Sequence, residues 1–344
     1  MTNNQVAKPS LFYIECLRFI AAIAVVGIHV LGPYRELVPE LAWHEWLPAI
    51  SLNAISRWAV PIFIMISGAL LMSDQRPFNA AHYLPRRLAK VLVPFLAWTV
   101  IYAFVGGYQE GAWSWEATAT LLEQSPNEHT WYHLWFFYDF IPLYFVIPLL
   151  APLLYKMEKQ RILLLLAAWL VLTLMHWLKV ETPLRQNIIL YSGYLVMGWY
   201  LFNNDQQAHL KFWLATGGAM LAFNVLGSAF YIWQQGEYSS VFMGYKSLNT
   251  AVIAMSLFVL IKAYAERIPQ GVRPFIKTIS KYSFGIYLVH PLFLIPVRNP
   301  DYGIYQWFGH SSIALVVISV AALGLAFVLS WLLTRSSLTR WLVP

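Results

Sequence analysis

Three residues near the start of the chain, Glu15, Arg18 and His29, are of types that do chemistry, and all fall in one apolar run, 11–31. An arginine well inside such a run costs about 2.5–3.5 kcal/mol to insert into lipid, so it is kept where it faces a cavity, a partner or a ligand. Glu15 and Arg18 stand three apart and share a helix face. His29 follows Arg18 by eleven residues. At 100° and 1.5 Å per residue it returns to within ~20° of the same face, ~16 Å further along. One stripe thus carries an acid and a guanidinium near one end and an imidazole towards the other. Imidazole serves as a general base near neutral pH. A plainer account is open too: Arg18 snorkels to the interface or simply pairs with Glu15, and His29 is a hydrogen-bonded packing residue.

Two further groups stand out. Arg86, Arg87 and Lys90 cluster at the start of a later apolar run. Guanidinium forks suit phosphate oxygens, so three cations at a membrane mouth would hold a polyphosphate; they would equally serve as a membrane anchor. The segment 131–139 carries Trp131, Tyr132, His133, Trp135 and Asp139. An interfacial aromatic belt explains its rings but leaves His133 and Asp139 over. Aromatic faces with polar tips also make a sugar-binding wall, to which Tyr287 and His290 would contribute from a later run. His44, His82, His129, His209 and His310 fall in loops as solvated residues. No Cys/His spacing suits a metal and no phosphate-binding or nucleophile-elbow motif occurs, so no metal is expected.

The elements that must position these groups follow from composition. The 344 residues are 59% hydrophobic, 17% aromatic and only 11% charged, where soluble domains carry about 25% charged residues. Mean hydropathy is +0.56. A disordered chain, a nucleic-acid module and an ordinary soluble enzyme are excluded. The expected fold is all-α: a polytopic transmembrane helical bundle of about ten spans forming one domain over 1–344, since lipid offers the backbone no hydrogen-bond partners. The runs are 11–31, 50–72, 88–106, 133–154, 162–179, 187–203, 212–233, 244–263, 282–298 and 311–334. The lone cysteine, Cys16, excludes an intrachain disulfide. The small residues of the last run, among them Ala321, Ala322, Gly324 and Ala326, favour close helix packing.

Sidedness is read from the basic residues. Of the 23 Lys and Arg, 16 fall at one end of this arrangement, including Lys8, Arg76, Arg86, Arg87, Lys90, Lys277, Lys281 and Arg335. Five fall at the other: Arg35, Lys179, Arg185, Lys246 and Arg298. Arg18 and Arg57 lie within runs. Both termini are therefore expected in the cytoplasm. The segment 107–132 has no basic residue but carries Glu110, Glu116, Glu123 and Glu128 with three tryptophans, as suits an external loop.

Taken together, these motifs resemble membrane acyltransferase family 3. Arg18 and His29, preceded by Glu15, resemble its opening signature, with Cys16 where glycine is frequent. Pro61 and Phe63 followed by Ser67 and Gly68 resemble a second-span motif, and Arg86, Arg87 and Lys90 a basic motif. His133–Phe137 with Tyr144 and Pro148, and Ser283, Gly285, Tyr287, His290 and Pro291, resemble two later ones. The resemblance implies an acyl-CoA-dependent O-acyltransferase of the bacterial inner membrane. It would move an acyl group, acetyl expected, to hydroxyls of extracytoplasmic glycans such as lipopolysaccharide O-antigen or exopolysaccharide, or of a lipid-linked sugar. Arg18 and His29 would then be required, with Glu15 orienting Arg18. Acetyl-CoA would be the acyl donor, bound by Arg18, Ser67, Arg86, Arg87 and Lys90. Tyr132, His133, Trp135, Asp139, Tyr287 and His290 would face the acceptor. Partners would be membrane lipid, acyl-CoA, a glycan and a second copy of the chain, with no nucleic acid. A small-molecule transporter and a structural membrane scaffold are the alternatives. Against the first stands the absence of inverted repeats and of paired broken helices; the second leaves the Arg18–His29 stripe unexplained.

Overall fold

Each of the ten apolar runs is helical in the structure, a computed structural model that describes residues 11–31, 34, 40–109 and 111–344. Lys8 and Arg35 of the charge count, and Glu110 of the acidic loop, lie outside the described residues. In chain order the first helices are α1 (Phe12–Val30), α2 (Trp43–Ser56), α3 (Ala59–Leu71) and α4 (Ala80–Tyr83). A π-turn (Leu84–Leu88) leads into α5 (Ala89–Gly106). Strands β1 (Tyr108–Gln109) and β2 (Ala112–Trp113) follow, then α6 (Trp115–Gln124), α7 (Trp135–Lys156), α8 (Lys159–Trp177) and α9 (Asn187–Asn203). The chain ends with α10 (Leu210–Gln235), α11 (Leu248–Tyr264), α12 (Arg273–Lys281), α13 (Ser283–Arg298) and α14 (Ser311–Leu333). Among the described residues eight helical stretches are long and apolar enough to cross a membrane. The other two runs of the expected ten are α9 and α13, of 17 and 16 residues. They are also inner helices: eleven residues of α9 are buried by protein. Surrounded in this way, they need no long lipid-facing surface.

Helix α1 is the hub. Thirteen of its nineteen residues are buried, and it packs against α2, α3, α11, α12, α13 and α14. The outer helices show the opposite pattern. In α8 only Ile162, Leu166, Trp169 and Thr173 are buried, one stripe at helical spacing, with the remaining surface left for lipid. The closest approach joins α3 to α9. Gly68 lies against the Leu195 backbone and Gly198 against that of Met65, so a Cβ at either position would overlap a carbonyl. Small residues are what allow two membrane helices to meet at backbone distance.

Two local departures from the sequence reading have physical causes. The run 50–72 is not one helix. It extends back to Trp43 and breaks at Arg57–Trp58, because Pro61 has no N–H for the Arg57 carbonyl and its ring crowds that oxygen. The loop 107–132 is not bare. It holds the antiparallel pair β1–β2, turning at Gly111, whose φ of 84° favours glycine. Helix α6 follows, with Ser114 at its N-terminus accepting a bond from the Ala117 N–H at 3.2 Å. Two-residue strands leave no periodic signal in a sequence.

Candidate active site

Glu15 and Arg18 stand on the first two turns of α1, one turn apart, with Arg18 Nη1 3.8 Å from Glu15 Oε1. Ser280 Oγ at the end of α12 donates a hydrogen bond to Glu15 Oε2. These groups line a cavity of about 830 Å³ whose walls also carry Ser67, Lys90, Lys277, Lys281, Tyr144 and Tyr287. Four cations therefore share one chamber at the end of the bundle where most Lys and Arg gather. Among the described residues Glu15 is the one acidic side chain that lines it with them. Ser67 Oγ donates to the Phe63 carbonyl at 3.0 Å within its own helix. Above the polar floor the wall turns apolar with Val25, Val60, Phe136, Phe140 and Phe284. The lining reaches Val25 on α1, one turn short of His29.

His29 is positioned by the way α1 ends. The last carbonyls of a helix lack partners within it. Here the His29 carbonyl accepts from Arg298 Nη2 at 2.6 Å and the Val30 carbonyl from Tyr305 Oη at 2.5 Å. The His29 ring stacks on that of His290, centroids 4.9 Å apart and planes 18° apart, and lies 5.1 Å from Tyr132. His133 stands edge-on to His290 at 5.7 Å. His133 and His290 are fully buried. Between this cluster and the cavity stands Tyr287, whose hydroxyl donates to the His133 carbonyl.

The hydrogen bonds assign the protons of the imidazole pair. His290 Nδ1 lies 3.1 Å from the Ile286 carbonyl, which can only accept, so Nδ1 carries the hydrogen. In a neutral ring Nε2 then holds a lone pair. That atom lies 2.8 Å from His29 Nδ1, which must donate to it. His29 Nε2 is left with a free lone pair, the form a general base requires. Beside it the Tyr132 hydroxyl is buried and, among the described residues, has no hydrogen-bond partner.

The remaining candidates are placed elsewhere. Trp135 stacks on Tyr245 at 5.3 Å. Asp139 accepts from Asn187 Nδ2 at 2.8 Å, and Asn187 accepts from Lys246 Nζ at 2.6 Å. The basic motif is divided. Lys90 lines the cavity with Arg18. Arg87 lines a neighbouring hollow of about 650 Å³ with Asp74, His82, Tyr83 and Lys156. There Arg76 holds the Asp74 carboxyl down to about 2 through its hydrogen bonds. Arg86 is exposed and lines neither space. Arg86 and Arg87 sit on the π-turn Leu84–Leu88 and Lys90 on the α-helix that follows it.

Sequence reading gave no site role to Lys277, Lys281, Ser280, Arg298 or Arg57. Four of them looked like loop or interface residues, and no local signal distinguishes them. Arg57 did carry one: like Arg18 it is an arginine inside an apolar run. Among the described residues no group of three or more His, Cys, Asp or Glu side chains is placed to hold a metal ion.

An all-helical membrane bundle with a cationic chamber at one end and an oriented imidazole towards the other defines a polytopic membrane protein built for chemistry in its interior. The family profile described as an acyltransferase domain, that of acyltransferase family 3, matches residues 11–335, nearly the whole chain, and the chain belongs to this family. It is a multi-pass membrane acyltransferase. Comparison with curated proteins and with solved structures returned no match.

Proposed function

We propose that this acyltransferase takes an acyl group, acetyl in the simplest case, from cytoplasmic acyl-CoA and passes it through the bundle to a hydroxyl of an extracytoplasmic glycan in the bacterial inner membrane. The observation that carries the reading is one helix with two ends. Arg18 stands in a cationic chamber, and His29, with a free Nε2, stands ~16 Å further along the same helix.

The chamber suits a polyphosphate with a long arm. Arg18, Lys90, Lys277 and Lys281 would meet phosphate oxygens, and Glu15, held by Ser280, keeps Arg18 in place. The apolar upper wall suits a thin pantetheine chain with its thioester leading. Arg86 and Arg87 act further out, as an anchor or in drawing the anion to the mouth. For the thioester to reach His29, the Tyr287 side chain must give way, since it stands between the chamber and the histidines.

At the far end His29 Nε2 takes the proton of the acceptor hydroxyl as its oxygen bonds to the thioester carbon. The C–S bond breaks, the thiolate leaves, and the proton on His29 neutralises it. His290 is a positioning residue: by accepting from Nδ1 it holds His29 in the tautomer that can act. The buried Tyr132 hydroxyl is the donor for the developing oxyanion. His133 and the aromatic rings packed on the His29–His290 pair form the acceptor side, with Trp135 and Asp139 further out.

The test compares surface glycans of cells with the protein, without it, and with His29→Ala, by mass spectrometry. The expected result is one acyl substituent lost in the deletion and lost again in His29→Ala, with the variant present in the membrane at normal level. Loss of a general base should cost about 10²–10⁴ in rate. Full acylation by His29→Ala would remove the base assignment, and solute uptake independent of acyl-CoA would favour a permease.

A further inference from the structure

Two arginines, Arg57 in mid-span and Arg298 beside the end of α1, meet no acid among the described residues. Arg57 sits at the break between α2 and α3, midway along a 29-residue apolar stretch. Its guanidinium lies over the Tyr245 ring at 5.0 Å. Arg298 lies over the Tyr132 ring at 4.1 Å and gives one Nη2 hydrogen to the His29 carbonyl. In both, Nε is buried and without a hydrogen-bond partner, and among the described residues neither forms an ion pair. Asp139 does not serve them, being engaged with Asn187 and through it Lys246. One short segment joins them: Tyr132 lies under Arg298, and Trp135, a turn later, stacks on the tyrosine beneath Arg57.

An uncompensated arginine within a membrane span is costly and is kept where an anion comes to meet it. Two of them joined to the His29 cluster through one aromatic segment make a site for about two negative charges. A phosphate ester carries that charge and offers oxygens to both forks, whereas a carboxylate carries half of it. We infer that Arg57 and Arg298 form an anion subsite for the acceptor, which is a sugar bearing a phosphate or pyrophosphate close to the hydroxyl presented to His29. This rests on the reading of His29 as the acylating centre. The phosphate has two sources, the pyrophosphate of a lipid-linked sugar or a phosphodiester within a polymer, and both share the chemistry.

The experiment uses the full chain in nanodiscs of uncharged phosphatidylcholine and measures binding of glucose 1-phosphate, glucuronate and glucose. Glucose 1-phosphate should bind at least tenfold more tightly than either of the others. Arg57→Gln and Arg298→Gln should each lower that affinity about tenfold or more, with Arg57→Lys and Arg298→Lys recovering part of it, which separates charge from folding. Equal affinity for the phosphorylated and neutral sugars overturns the subsite, and equal affinity for glucuronate overturns the assignment to phosphate. Tighter binding of a prenyl-pyrophosphoryl glucose marks a lipid-linked acceptor; no gain marks a phosphate within a polymer, and either supports the subsite. Because binding is read without turnover, a retained phosphate preference in protein that does not consume acetyl-CoA supports the subsite while removing the acyl-transfer reading. Turnover of acetyl-CoA with no such preference does the reverse.

Discussion

At the scale of single residues, the reactive unit is a pair of imidazoles rather than one. His29 by itself would divide between two neutral tautomers, and the Ile286 carbonyl settles the matter through His290. His290→Leu should therefore lower the acyl-transfer rate about 10²-fold or more, as when the orienting group of another catalytic imidazole is lost. His290→Gln, whose amide oxygen can take the place of Nε2 and accept from His29 Nδ1, should recover part of the loss. The acid limb of the pH–rate profile should also move in the leucine variant, and rates across pH on purified protein check this. Equal losses in both variants with an unmoved profile would reduce His290 to a packing residue. The stripe of Glu15, Arg18 and His29 was legible from helical periodicity, because all three share one helix. The partner of His29 was not, since 261 residues separate the two rings along the chain.

Among the elements, the site depends on helices that end, break or touch at set places. The end of α1 is held by Arg298 and Tyr305, the break at Arg57 follows from Pro61, and the α3–α9 contact rests on two glycines. Gly68→Ala or Gly198→Ala should destabilise the bundle by about 1–3 kcal/mol, since an added methyl must displace a backbone carbonyl. Gly218→Ala on α10 is the matched control, because a Cβ there meets nothing within 4 Å. Melting temperatures of the three purified variants make the comparison; three equal values would show that the α3–α9 contact yields freely. Proline and glycine positions are visible in a sequence. That Gly68 faces Gly198's neighbourhood, and that Arg87 and Lys90 line different hollows, depends on contacts between helices that no local pattern encodes.

For the whole molecule the expectation concerns sidedness. With most Lys and Arg at the Arg18 end, alkaline phosphatase fused within the β1–β2 hairpin at Gly111 should be active in a Gram-negative host, and a fusion after Ser336 inactive. The reverse pattern would invert the bundle and place His29 in the cytoplasm. Composition and long continuous apolar runs determined that this chain is a helical membrane protein, because lipid admits only helices and closed barrels and a barrel's strands would alternate. Helical periodicity determined that Arg18 and His29 share a face. Tertiary structure decided the rest: which cations surround Arg18, which ring orients His29, and that Arg57 and Arg298 meet no acid among the described residues. Periodicity acts within one helix, whereas each of those facts arises between helices brought together by packing, and helix packing depends on shape and small residues across distant parts of the chain.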